Sequence, residues 1–127
     1  MENEKIIQFL EKYNYDYSKN NDSIHVKLDF SLQARIECKD NKIIVKDMLS
    51  GYNLLTGIFN SSLKKAFIYN FFVTLLVGVL YLYLEKKVAG LNLTITFLFF
   101  LIWILFISIF YLVKFESFKN QIVNLTK

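Results

Sequence analysis

The stretches AFIYNFFVTLLVGVLYLYL (residues 66–84) and VAGLNLTITFLFFLIWILFISIFYLV (residues 88–113) carry no charge and are separated only by Glu85, Lys86 and Lys87. At about 1.5 Å of rise per residue, a helix of ~19 residues reaches about 28 Å and one of ~23 about 35 Å, enough for a hydrocarbon core about 30 Å thick. Two such helices joined by so short a connector must run antiparallel, so the sequence predicts a transmembrane hairpin with spans at 66–84 and 91–113. In the second span 17 of 23 residues are Leu, Ile, Phe or Val, each favouring insertion by about 0.3–0.6 kcal/mol near the helix centre. Burying the pair in a soluble core would instead require a surface that covers both helices all round.

Within the first span the small and polar residues Ala66, Asn70, Thr74 and Gly78 recur every four positions. Such a stripe lets a second helix approach closely and supplies hydrogen bonds where water is absent. Aligning the span midpoints sets Thr74 at the depth of Trp103 and Asn70 near Ser108. These six residues form the expected helix-packing set, with Thr74 a candidate partner for the Trp103 indole N–H. Neither span contains Asp, Glu, His, Lys or Arg, the residues that mark proton relays, voltage sensors and ion pathways, which argues against a pump, a secondary transporter or an intramembrane protease.

Charge divides the chain in the same place. Residues 1–62 carry a net charge of −1 and residues 63–127 a net charge of +5, giving +4 for the whole. The basic excess therefore flanks the spans, where it reads as topology and headgroup attraction rather than nucleic-acid binding. Lys64, Lys65, Lys114 and Lys119 lie on the side shared by both termini, against Lys86 and Lys87 in the hairpin loop. This bias places both termini in the cytoplasm. The acidic start MENEKIIQFLEKYNYDYS lacks the apolar run of a secretory signal, and the richness in Asn, Lys, Ile and Phe suggests an AT-rich bacterial genome and hence the bacterial inner membrane. The single Cys38 rules out an intramolecular disulfide, as fits a reducing compartment.

Ahead of the hairpin, Ile6, Phe9, Leu10 and Tyr13 recur at helical spacing behind Glu2 and Glu4, predicting an amphipathic helix over 2–13. Period-2 alternation follows: Tyr15 and Tyr17 hint at a short strand, Ile24, Val26 and Leu28 alternate with His25, Lys27 and Asp29, and Ala34, Ile36 and Cys38 with Arg35, Glu37 and Lys39. Keeping like faces together, a three-residue loop at 29–31 pairs Leu28 with Leu32, Val26 with Ala34 and Ile24 with Ile36. A turn at Asp40-Asn41 then sets Cys38 opposite Ile43 and Ile36 opposite Val45. The fold class is thus an α+β membrane protein: an N-terminal helix and a small antiparallel meander of three or four strands in residues 1–47, a linker at 48–65, the hairpin at 66–113, and an amphipathic helical extension at 114–127. About 47 residues make a marginal core, so docking on the membrane base or on a second copy is expected.

In the linker, Met48, Tyr52, Leu55 and Phe59 fall on one helical stripe interrupted by Gly51 and Gly57. Tyr52, Leu55, Phe59, Lys64 and Lys65 are therefore the expected membrane-interface residues, with packing of the segment against the strands as the alternative. His25 near Arg35 and Glu37 has the outline of an acid/base cluster, but a lone histidine among strand charges reads as a solvated sheet face, since catalysis needs a concave pocket and an orienting partner. Cys38, without a CxxC partner, reads as a structural thiol. No metal-ligand spacing, dinucleotide fingerprint or phosphate loop occurs, GYNLLTG at 51–57 lacking the Gly-Lys-Ser/Thr of the last. No catalytic residue, cofactor or metal is therefore expected. The expected function is that of a non-enzymatic membrane-anchored interaction or assembly protein. It would present its α+β domain at the cytoplasmic face, with the lipid bilayer and a homo-oligomer or larger membrane complex as partners. An oligomeric pore or membrane effector built on the stripe is the alternative, and an enzyme acting at the lipid surface through His25 a third.

Overall fold

The computed structural model describes residues 2–29, 31–39, 42–88, 90 and 92–125. An N-terminal helix α1 (Glu2–Lys12) leads into four strands, β1 (Asp16–Asn20), β2 (Ser23–Asp29), β3 (Leu32–Lys39) and β4 (Lys42–Leu49), and two long helices follow, α2 (Leu63–Lys87) and α3 (Thr94–Leu125). The strands form one antiparallel sheet in the order β1-β2-β3-β4, so the domain is α+β.

Helix α1 ends in a Schellman arrangement. Asn14 takes a left-handed φ of 53°, the Tyr15 N–H reaches back to the Leu10 carbonyl at 2.9 Å and the Asn14 N–H to the Glu11 carbonyl at 3.1 Å, which satisfies the last carbonyls of the helix. The reversal returns the chain along the sheet, and Tyr17 in β1 donates its hydroxyl proton to Glu11 Oε1 at 3.1 Å. That bond, after burial, helps hold the Tyr17 phenol above its ordinary pKa.

The register follows the alternation: Ile24 pairs with Ile36 and Val26 with Ala34, Ile36 with Val45 and Cys38 with Ile43. One pairing differs. Asp29, not Leu28, sits opposite Leu32, because a bulge after Lys27 leaves Leu28 as the extra residue. Of the expected turns, Phe30 and Asp40-Asn41 lie outside the described residues, as do Leu91 at the expected start of the second span and residues 126–127.

Ile24, Val26, Leu32, Ala34 and Ile36 point to one face of the sheet and are buried. Helix α1 supplies Ile6 and Leu10 to this core, but the larger cover is α3, whose Phe115, Phe118 and Ile122 are buried at three- and four-residue spacing. The Phe118 ring meets Tyr15 edge-on at 5.3 Å, and Lys114 pairs with Asp29 at 3.4 Å. The extension at 114–125 is therefore the second half of the domain's own core. Burying three such side chains contributes about 1.5–3 kcal/mol each, so the small sheet finds its missing apolar cover within the chain.

Helices α2 and α3 rise away from the sheet and run antiparallel. Both are long and apolar enough to cross a membrane, and only 6% of the most apolar window of α2 and 11% of that of α3 is buried. The core helix of a soluble protein would be mostly covered.

Candidate functional site

Three surfaces stand out as candidates for interaction. The first is the segment between β4 and α2. Leu49 and Ser61 exchange both backbone hydrogen bonds, at 2.7 and 3.1 Å, so the residues between them form a closed loop rather than a helical turn. Gly51 and Gly57, at φ 67° and 69°, adopt a left-handed backbone that L side chains avoid and break the helical stripe suggested by the spacing. Asn53, 2% exposed, organises the interior: its Oδ1 accepts the N–H groups of Leu55 and Thr56 at 3.0 and 2.8 Å and the Thr56 hydroxyl at 3.1 Å.

This loop sorts its apolar residues onto two sides. Leu55 is 6% exposed and joins the core, whereas Tyr52, Ile58 and Phe59 are 74%, 75% and 61% exposed. Leu55 is thus a core residue and not part of the exposed apolar set with Tyr52 and Phe59. Leu54 donates its N–H to the Tyr111 phenol oxygen at 3.4 Å, which ties the loop to α3, and Phe59 lies 6.3 Å from the Tyr69 ring of α2. At the junction, the Asp47 carboxylate accepts the Leu63 N–H and the Ser62 hydroxyl accepts that of Lys65, which caps α2 from outside the helix and from its N-cap residue. Lys64 and Lys65 are exposed.

The second surface is the seam between α2 and α3. Ala66 and Asn70 are buried, Thr74 is half-buried, and a Cβ added to Gly78 would stand 3.1 Å from the Phe97 ring. The four-residue stripe thus lies along the α3 side of α2. Ser108 is half-buried. Trp103, expected opposite Thr74, is 59% exposed, so its indole turns outward and the expected contact gives way to ring packing of Phe97 on Tyr81 at 5.8 Å. Among the described residues, the buried Asn70 Nδ2 group finds no hydrogen-bond partner.

The third is the sheet face that neither helix covers. Register aligns Ser18, His25, Arg35 and Lys46 in one row across it, with Glu37 opposite Ser23 and Ile44 in the next. Glu37, 6% exposed, is clamped by Arg35 Nε on Oε1 at 2.9 Å and Lys46 Nζ on Oε2 at 3.1 Å. The hydrogen bond from Lys46, foremost, holds its carboxyl below the usual glutamate range against the opposing effect of burial. His25 Nε2 instead lies 3.3 Å from Ser23 Oγ. With Lys27, Lys39 and Lys42 alongside Asp16, this face is net basic, and Ile44, 40% exposed, is an apolar group on its β4 edge.

A cleft of about 760 Å³ opens at the helix-proximal end of the sheet between the α1–β1 turn and the β2–β3 turn, lined among others by Tyr13, Asp16, Lys27 and Asp29. Its charges are already paired, Lys27 with Asp16 at 2.9 Å and Asp29 with Lys114. Among the described residues, no three His, Cys, Asp or Glu side chains gather as a metal site. Cys38 Sγ donates to Asn3 Oδ1 at 2.9 Å, a bond across to α1 that sequence spacing cannot reveal.

The chain belongs to the family described as "Family of unknown function (DUF5883)", whose match covers residues 12–126 and so takes in the sheet, the loop and both long helices. No curated protein and no solved structure matches the chain.

Proposed function

We propose that this member of the family is a non-enzymatic, membrane-anchored interaction protein. The α2–α3 hairpin spans the bacterial inner membrane, both termini lie in the cytoplasm, and the uncovered sheet face receives an acidic surface of a larger membrane complex. The observation that carries this reading is the continuity of α3: one unbroken helix is apolar and exposed over its first half and is the cover of the sheet over its second. Anchor and recognition domain are therefore coupled through a single rigid element. Orientation rests on Lys64, Lys65, Lys114 and Lys119 at the domain side against Lys86 and Lys87 at the far loop.

A binding role is supported by how the sheet's ionisable groups are engaged. Glu37 is held by two cations, and His25 stands on an open face beside a hydroxyl rather than in a cleft with an orienting carboxylate. Because the face is basic, a second copy of the same face is repelled, which favours a different, acidic partner. The small-residue stripe lies against α3 of its own chain, so assembly falls to the sheet rather than to the spans.

A photo-crosslinker in place of Ile44, in native membranes, tests this. The reading expects capture of one discrete partner that is lost when Lys39→Glu and Lys42→Glu reverse the charge of the face while membrane insertion persists. Capture indifferent to the charge reversal would contradict it.

A further inference from the structure

We propose that the cleft between the Leu49–Ser61 loop and the first turns of α2 holds an acidic phospholipid, its phosphate at Lys65 and the start of an acyl chain against Phe59 and Tyr69. This inference rests on the membrane-anchored reading above. The cleft has a volume of about 250 Å³ and is lined by Thr56, Phe59, Ser61, Lys65 and Tyr69. Its wall is aromatic, the Phe59 and Tyr69 rings standing 6.3 Å apart at 58°. Lys65 and Tyr69 are four residues apart and so share one helix face. From there Ile68 and Phe72, 51% and 60% exposed, carry the apolar surface further along α2.

The polar end of the cleft is cationic and unspent. Among the described residues neither Lys64 nor Lys65 has a carboxylate at ion-pair distance, and the first turn of α2 holds no acidic residue. The nearby Asp47 carboxylate is occupied by the Leu63 N–H; it also offsets the positive end of the helix, so the anion is drawn by the lysines rather than by the helix terminus. Ser61 lines the cleft, and among the described residues its buried Oγ has no hydrogen-bond partner. An apolar trough lined at one end by Lys65, with the exposed Lys64 next to it in sequence, where charge gives way to the uncharged run beginning at Ala66, matches an amphiphile with a negative head. A zwitterionic lipid would add its own cation beside Lys64 and Lys65.

Native mass spectrometry of the full chain tests this, with phosphatidylglycerol and phosphatidylcholine of identical acyl chains competing and glycerophosphoglycerol as a headgroup without chains. Retention should favour phosphatidylglycerol, and Lys64→Gln with Lys65→Gln should reduce that preference by about fivefold per lysine. Phe59→Ala with Tyr69→Ala should weaken retention of both lipids, and glycerophosphoglycerol should not compete. Lys86→Gln with Lys87→Gln, at the opposite end of the helices and outside the cleft, should reduce the preference by clearly less. Equal retention of the two lipids overturns the proposal, as does a loss from Lys86→Gln with Lys87→Gln as large as that from Lys64→Gln with Lys65→Gln, or full competition by the soluble headgroup. Alkaline carbonate extraction separates the two levels: release of the chain from membranes defeats the anchoring reading itself, whereas retention without lipid preference defeats only the lipid site.

Discussion

Glu85, at the end of α2, caps the helix that follows it: its Oε1 accepts the Thr94 backbone N–H at 2.9 Å, with the Leu93 N–H at 2.6 Å and the Thr94 hydroxyl at 3.2 Å on the same oxygen. The lone acidic residue of the connector thus satisfies donors that the start of α3 leaves open and places a negative charge at the positive end of its dipole. Glu85→Ala should destabilise the hairpin by about 1 kcal/mol, the usual cost of a lost N-terminal cap, and Glu85→Gln by less, since an oxygen acceptor remains. Thermal unfolding in detergent reads both; equal melting of all three proteins would remove the capping role.

Close packing at Gly78 sets the second expectation. A methyl group there meets the tip of the Phe97 ring at 3.1 Å, which a shift of a few tenths of an ångström in the whole Phe97 side chain relieves, so Gly78→Ala should be nearly neutral. Gly78→Leu cannot be accommodated in this way and should cost about 1–3 kcal/mol. Pairing Gly78→Leu with Phe97→Ala should recover part of that loss. A double variant no more stable than Gly78→Leu alone would show that the two residues do not share the site.

The tail of α3 should be as important to the sheet as the strands are to each other. Phe118, 2% exposed, packs on Tyr15 and the core, and Phe118→Ala should cost about 3–5 kcal/mol. Hydrogen exchange should speed up at the amides of β2 and β3, tens of residues away in sequence. Exchange confined to the end of α3 would mean that the sheet folds without it.

Glu37 should give stability a pH dependence of known sign. Its folded-state carboxyl titrates below the ordinary glutamate range because Lys46 and Arg35 favour the charged form, so at pH values between the two pKa values the unfolded chain binds more protons and stability rises with pH. The contribution is fully present above the unfolded value of about 4.3 and is lost as pH falls through the folded one. Glu37→Gln should therefore be less stable than the parent at neutral pH, and the gap should narrow at an acidic pH below the ordinary glutamate range. A gap of constant size in urea unfolding at the two pH values would contradict the ion-pair account.

The sheet was legible because one period controls it: pairing Ile24 with Ile36 and Val26 with Ala34 is the arrangement that keeps the alternating apolar side chains of β2 and β3 on one face. The bulge at Leu28 was not, since alternation carries no signal for one extra residue in a strand. In the loop, spacing alone placed Tyr52, Leu55 and Phe59 on a common stripe, but the hydrogen bonds of Asn53 and the left-handed glycines turn Leu55 inward and leave the other two outside. Apolar content foretold both long helices, yet it carries no azimuth in a helix apolar all round. Trp103, expected to face Thr74, therefore turns outward instead.

The central claim is a two-pass hairpin with the sheet domain on the inner side, and cysteine accessibility tests it most directly. With Cys38 replaced by serine, a cysteine at Lys87 and another at Lys42 are challenged separately by a membrane-impermeant thiol reagent on intact cells. The account predicts labelling at position 87 in intact cells and at position 42 only after permeabilisation. Labelling at 42 but not 87 would invert the topology, and labelling of neither or both before permeabilisation would contradict a hairpin that crosses the membrane.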